Sequence, residues 1–355
     1  MRNNTEKAAV NTQSSSRLVQ FDGLRGIAII TVVLSHCCIL NQGGVANAVF
    51  FALSGFLLIN PFKDAYEQRF LSIWSILKFY KSRAIRILPA YYIVLLILFL
   101  QTGFNVIEKD VFLKLLYMGD IHEHLWYVFA YFWLMYIIPF VFFFLLLLAR
   151  KIKFLRNDLV CACIFIALSA VIRILYLGSD MFDIRMDQLM LGIAAGYLFR
   201  YIRTNEKKSS AVKKHPVLGQ LLILFIFLLV ILSSCDVLKL FNPALAEYYI
   251  GWNLIFVVGF FMSLLVLLVA LYPDGFIGKI LQSKALVFVG KHAFVIYLLN
   301  NFVIAQLNIQ SKYFLFICVF SVSLVLAWLI DSFIDKVKSI IVKAFGSSKQ
   351  KKGDV

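Results

Sequence analysis

Long uncharged blocks of apolar residues, separated by short polar runs, set the pattern of this chain. Stretches such as Val217–Leu232 and Leu254–Leu271 carry no charge, and several blocks reach the ~20 residues that a bilayer core requires of a helix. The blocks do not alternate polar and apolar positions, so they exclude the strands of a membrane β-barrel. They predict helical spans over 26–41, 45–60, 88–104, 125–148, 159–177, 186–202, 217–235, 249–271, 291–308 and 313–333. The expected fold is an all-α integral membrane protein with about ten transmembrane helices. A polar tail (1–20) would precede the membrane domain (21–333), and a basic tail (334–355) would follow it, lying along the inner leaflet.

Composition agrees with the pattern. Of 355 residues 62% are hydrophobic and 15% charged, against about 45–50% and about 25% in soluble domains. The net charge of +16 does not point to nucleic acid, because its distribution follows the spans. Most Lys and Arg fall in alternate segments between them, which by the positive-inside rule sets the N- and C-termini in the cytoplasm. The protein is expected to be multi-pass in the plasma membrane. Residues 1–20 lack the apolar stretch of a cleavable signal peptide. The six Cys lie in or beside apolar runs and suggest buried thiols rather than disulfides or a zinc site. His122 and His124 flank Glu123, but with no evident third ligand they do not make a metal site.

Charged groups inside a bilayer are costly, so the few present are the candidates for chemistry. His36 lies deep in the first span, eleven residues after Arg25. Eleven helical steps end about 20° past three full turns and rise about 16 Å. Both side chains therefore project from one face, with His36 deeper. A neutral imidazole at that depth is a natural base for a hydroxyl. Arg83 and Arg86, three residues apart before Pro89, form a pair suited to phosphate or carboxylate. Topology sets them on the same side as Arg25, so the three arginines predict one anion site. On the opposite side, Arg173, Arg185 and Asp187 could hold polar groups of a second substrate. Ser54 and Gly55 fit close helix packing, and Pro139 should kink its helix. These residues alone suit a membrane enzyme or a transporter equally well.

The same segments resemble a known family. FDGLRGIAIITVVLSH, with Arg25 and His36, is similar to the opening motif of the membrane-bound acyltransferase family three. SRAIRILPAYY resembles its Arg-x-x-Arg motif, and FFALSGFLL, HLWYVFAYFWLMYIIP, RMDQLMLGIAAGYL and VGKHAFVIYLLNN resemble later blocks in order. The chain departs from the family's pattern at Phe129, Tyr131 and Trp133, and at Asn300, where a His is common. The resemblance implies an O-acyltransferase acting on cell-surface or exported glycans. It implies acetyl-CoA or another acyl-CoA as co-substrate, and no bound cofactor or metal. The donor's phosphates would then lie at Arg25, Arg83 and Arg86, with the thioester near His36. A transporter or flippase for a glycan intermediate is the alternative.

Overall fold

The computed structural model describes residues 18–40, 42–63, 65–102, 125–175, 185–232, 237, 240 and 253–350. Within them the chain is helical. The first pair is α1 (Val19–His36) and α2 (Gly43–Leu58), and a 3₁₀ turn (Tyr66–Leu71) leads to α3 (Ile73–Thr102). Next come α4 (Trp126–Lys151), α5 (Asp158–Leu175), α6 (Met186–Thr204), α7 (Glu206–Lys214) and α8 (Pro216–Leu232). The last are α9 (Asn253–Leu271), α10 (Phe276–Leu281), α11 (Lys284–Lys291), α12 (Ala293–Gln306) and α13 (Lys312–Gln350). His122, Glu123, His124 and Cys235, and the outer segment 104–124, lie outside the described residues.

Each predicted apolar block coincides with a helix, but the boundaries move. The first helix starts at Val19 and ends at His36 rather than at 41, which puts His36 in its last turn. The third starts at Ile73, not near 88, and runs through Pro89. Proline removes one backbone hydrogen bond, and a membrane helix tolerates this when neighbours satisfy the freed carbonyl. Arg83 and Arg86 therefore sit on the same rigid rod as the apolar part of α3. The last apolar block continues into the basic tail as one helix, Lys312–Gln350.

Among the described residues, three helices are individually long and apolar enough to cross a bilayer: α4 (26 residues, mean hydropathy 2.6), α5 (18 residues, 2.3) and the Lys312–Lys343 part of α13 (32 residues, 2.5). At ~1.5 Å per residue, α4 is about 39 Å long, against ~30 Å of hydrocarbon. The count rises to five if two bent pairs are each one span: α7 with α8, bent by 79°, and α11 with α12, bent by 72°. Bulky side chains on α4, α8 and α13 face outward, among them Phe140, Phe144, Phe225, Trp328 and Phe333. Such surfaces need lipid as solvent. The chain is a membrane protein.

The centre of the bundle is α2 against α6, with α9 packed on both and α5 on the outer side of α6. A methyl group at Gly55 of α2 would lie 2.2 Å from the Leu189 carbonyl oxygen of α6, and one at Gly192 2.3 Å from that of Ala52. The two backbones touch because neither position carries a side chain, which bears out the packing role expected at Gly55. α1 meets α11 equally closely, since a methyl at Gly290 would lie 1.7 Å from the Asp22 carbonyl oxygen. That contact fixes the α11–α12 bend beside Arg25.

Candidate functional site

α1 carries candidate groups at both ends. Near its start, Arg25 donates from Nη1 to the Asp22 carboxylate at 2.8 Å, one turn back on the same helix. Asp22 is buried and steadies this arginine. From α3, Arg83 donates from Nη1 to the Tyr131 hydroxyl of α4 at 2.8 Å, and its guanidinium lies 5.4 Å from the Phe79 ring. Arg25, Arg83 and Arg86 all line one cavity of about 160 Å³, together with Tyr127, Tyr131 and Tyr297. Two helices, α1 and α3, thus bring together the arginines that the sequence grouped by topology alone. Ser54 of α2 also lines this space.

The small cavity shares Arg25, Arg86 and Lys291 with a larger one of about 800 Å³. Lys291 stands at the bend between α11 and α12, and no motif had singled it out. Three cations on a cavity wall suit an anion, because charge-assisted hydrogen bonds to phosphate or carboxylate are the strong ones. Among the described residues, Arg86 and Lys291 form no ion pair.

The other end of α1 carries His36, half-buried. Its Nδ1 lies 2.5 Å from Oδ1 of Asn300 on α12. The amide nitrogen of Asn300 donates to the carbonyls of Ile296 (3.1 Å) and Tyr297 (2.7 Å). With both amide hydrogens committed there, the oxygen must face His36, and it can only accept. Nδ1 of His36 therefore carries the proton, and Nε2 presents its lone pair. Asn300 is fully buried, so α12 holds the ring in place. Sequence reasoning noted Asn300 only as a departure from a family pattern. The spacing of Tyr297 and Asn300, three apart on one face, was the signal that joined the cavity to the histidine.

His36 does not line either cavity. It lies eleven residues along the same continuous helix from Arg25, about 16 Å by helix rise. Aromatic rings line the arginine cavity: Tyr127 stands 5.3 Å from Tyr297 and 5.9 Å from Phe50 by ring centroids.

The three other candidates are buried. Arg173 donates to Asp187 Oδ2 from Nη2 (2.6 Å) and Nε (3.1 Å), joining α5 to α6. Ser169 Oγ donates to the Asp187 carbonyl oxygen. Arg185 lies over the Trp126 ring at 5.5 Å. The sequence implied no such pairing, because Arg173 and Asp187 are fourteen residues apart on different helices. A second buried network was missed altogether. Arg200 forks onto Glu67 with two bonds of 2.7 Å, and it reaches Asp158 at 2.9 and 2.7 Å. It clamps the 3₁₀ turn to α5 and α6.

Within the described residues the chain is thus a helical membrane bundle, with an arginine-lined cavity near the start of α1 and an oriented histidine at its end. The profile of the acyltransferase domain family matches residues 18–332, nearly the whole bundle, and the chain belongs to that family. It is similar to proteins of Staphylococcus aureus strains COL, MSSA476 and N315, each carrying the name "Putative O-acetyltransferase". Each is 24% identical over 319 residues, covering 80% of this chain and 50% of the relative. The chain thus spans about half the length of the curated relatives it matches. No solved structure matches it.

Proposed function

We propose that the protein is an O-acyltransferase that moves an acetyl group from acetyl-CoA to a hydroxyl of an exported or cell-surface glycan. The observation that carries this reading is the arrangement along α1: three arginines on one cavity at its start and, at its end, His36 with Nδ1 turned to the amide oxygen of Asn300. The names of the relatives support acetyl as the group moved. Ten spans with both termini in the cytoplasm agree with the charge pattern, and they put the arginine cavity on the side where acyl-CoA is made. Donor phosphates would rest on Arg25, Arg83 and Arg86, and the pantetheine arm would run along α1 toward His36.

Two routes fit this geometry. In the first, Nε2 of His36 takes the proton of the acceptor hydroxyl as its oxygen attacks the thioester carbonyl. The C–S bond breaks, and the CoA thiolate leaves and recovers the proton. In the second, Nε2 itself attacks the thioester carbonyl, the C–S bond breaks and the CoA thiolate leaves; the acceptor oxygen then attacks the acetyl-imidazolium, the C–N bond breaks, and the acceptor's proton passes to the thiolate. Arg173, Arg185 and Asp187 would shape the acceptor side.

Membranes containing the protein, supplied with labelled acetyl-CoA and the host's surface glycan fraction, test the reading. Alkali-labile label in the glycan supports it. Label that stays in the donor, while a glycan intermediate crosses the membrane unmodified, would replace it with transport.

A further inference from the structure

The 800 Å³ cavity is much larger than a pantetheine arm alone needs, and its lining is uneven in charge. Arg25, Arg86, Lys63, Lys291 and Lys338 face it against two carboxylates, Asp331 and Asp335. Both carboxylates are engaged: His292 Nδ1 donates to Asp331 Oδ2 at 2.5 Å, and Asp335 stands 3.7 Å from Lys338. Among the described residues Lys63 and Lys291 have no carboxylate partner. Asp331, Ile334, Asp335 and Lys338 follow one another at helical spacing, so a single face of α13 forms one wall. The basic tail, expected only to lie on lipid, thus supplies lining to a cavity that shares Arg25, Arg86 and Lys291 with the arginine site.

Resting on the acyl-CoA reading above, we infer that this cavity binds the nucleotide end of the donor and that Lys63, Lys291 and Lys338 hold its ribose 3′-phosphate. Arg25 and Arg86, shared by both cavities, are left for the diphosphate at the junction. An apolar wall of Phe21, Phe62 and Phe294 faces the same space and suits the purine. A volume of about 800 Å³ falls within the usual range of sites that enclose a whole ligand, about 300–1,000 Å³. The enzyme would therefore distinguish CoA from donors that carry the same thioester without the 3′-phosphate.

The full chain, reconstituted in phosphatidylcholine vesicles, is assayed with acetyl-CoA and with acetyl-3′-dephospho-CoA, using the glycan fraction as acceptor. Wild type should show a KM at least about tenfold higher for the dephospho donor, with kcat within about twofold, because the lost contacts are made equally in ground and transition states. Combining Lys63→Gln and Lys338→Gln, which line only the larger cavity, should raise the KM for acetyl-CoA toward that of the dephospho donor and leave the latter unchanged. Equal KM values in wild type, or an equal loss on both donors in the variant, would overturn the clamp. So would a lysine effect that appears only in vesicles containing anionic lipid, since the lysines would then be serving lipid headgroups. Transfer from both donors with equal KM removes only this inference, whereas transfer from neither removes the acyl-CoA reading as well.

Discussion

Replacing Asn300 with Leu separates orientation of the histidine from everything else that α12 does. The side chain is fully buried, and it makes one bond to His36 and two to carbonyls of its own helix. Those carbonyls belong to the α12 backbone ladder, so losing Nδ2 should cost stability no more than about 1 kcal/mol. The bond to His36 is different. Without it the ring can turn and exchange tautomers, and the lone pair at Nε2 is no longer guaranteed. A bond that orients a catalytic group is worth about 1.5–3 kcal/mol in the transition state, which is roughly 10- to 150-fold in rate. Asn300 lines neither cavity, so the KM for the donor should stay within about threefold. The assay is steady-state acetyl transfer in reconstituted vesicles, with thermal unfolding of the same preparations. Asn300→His, which restores a hydrogen-bonding group, should recover part of kcat, as a purely structural role would not require. Full activity in Asn300→Leu would refute the reasoning, as would a loss of rate that tracks a loss of folded protein.

Other outcomes follow from the same geometry. Arg86→Ala should raise the KM for acetyl-CoA by about 10- to 100-fold with kcat little changed, measured by initial rates over a donor series. Arg200→Met should destabilise the bundle by about 3–5 kcal/mol, because it leaves Glu67 and Asp158 charged and unpaired in a buried place; thermal unfolding in detergent reports it. Arg173→Leu alone should be similarly destabilising, while Arg173→Leu with Asp187→Leu should recover most of the loss. Gly290→Ala should cost about 1–3 kcal/mol or more, since the added methyl meets the Asp22 carbonyl oxygen at 1.7 Å. It should also weaken donor binding by moving Lys291.

Apolar periodicity located the helices because lipid-facing and core residues are both hydrophobic and the breaks between them are polar. It misplaced the start of α3, where Ile73–Leu88 mixes Lys and Arg with apolar positions and reads as an interfacial segment. The α11–α12 break was invisible because no proline or glycine stands at His292; the bend coincides with the backbone contact between Gly290 and Asp22, which is long-range. Arg25, Arg83 and Arg86 were legible as a group because topology restricts charges to one side. Lys291 and the tail helix were not, because cavity lining depends on how distant helices pack. Asn300 was hidden for the same reason: its importance lies in its 264-residue separation from His36. Arg173, Arg185 and Asp187 were visible as buried charges, but the pairing of Arg173 with Asp187 needed three dimensions.

His36 carries the central claim, and His36→Ala tests it when binding and transfer are measured on the same vesicles. Donor binding should stay within about threefold of wild type, because the arginine cavity does not include His36, while acetyl transfer should fall by about 10²- to 10⁴-fold. Transfer at the wild-type rate, or a loss of donor binding as large as the loss of transfer, would contradict the account.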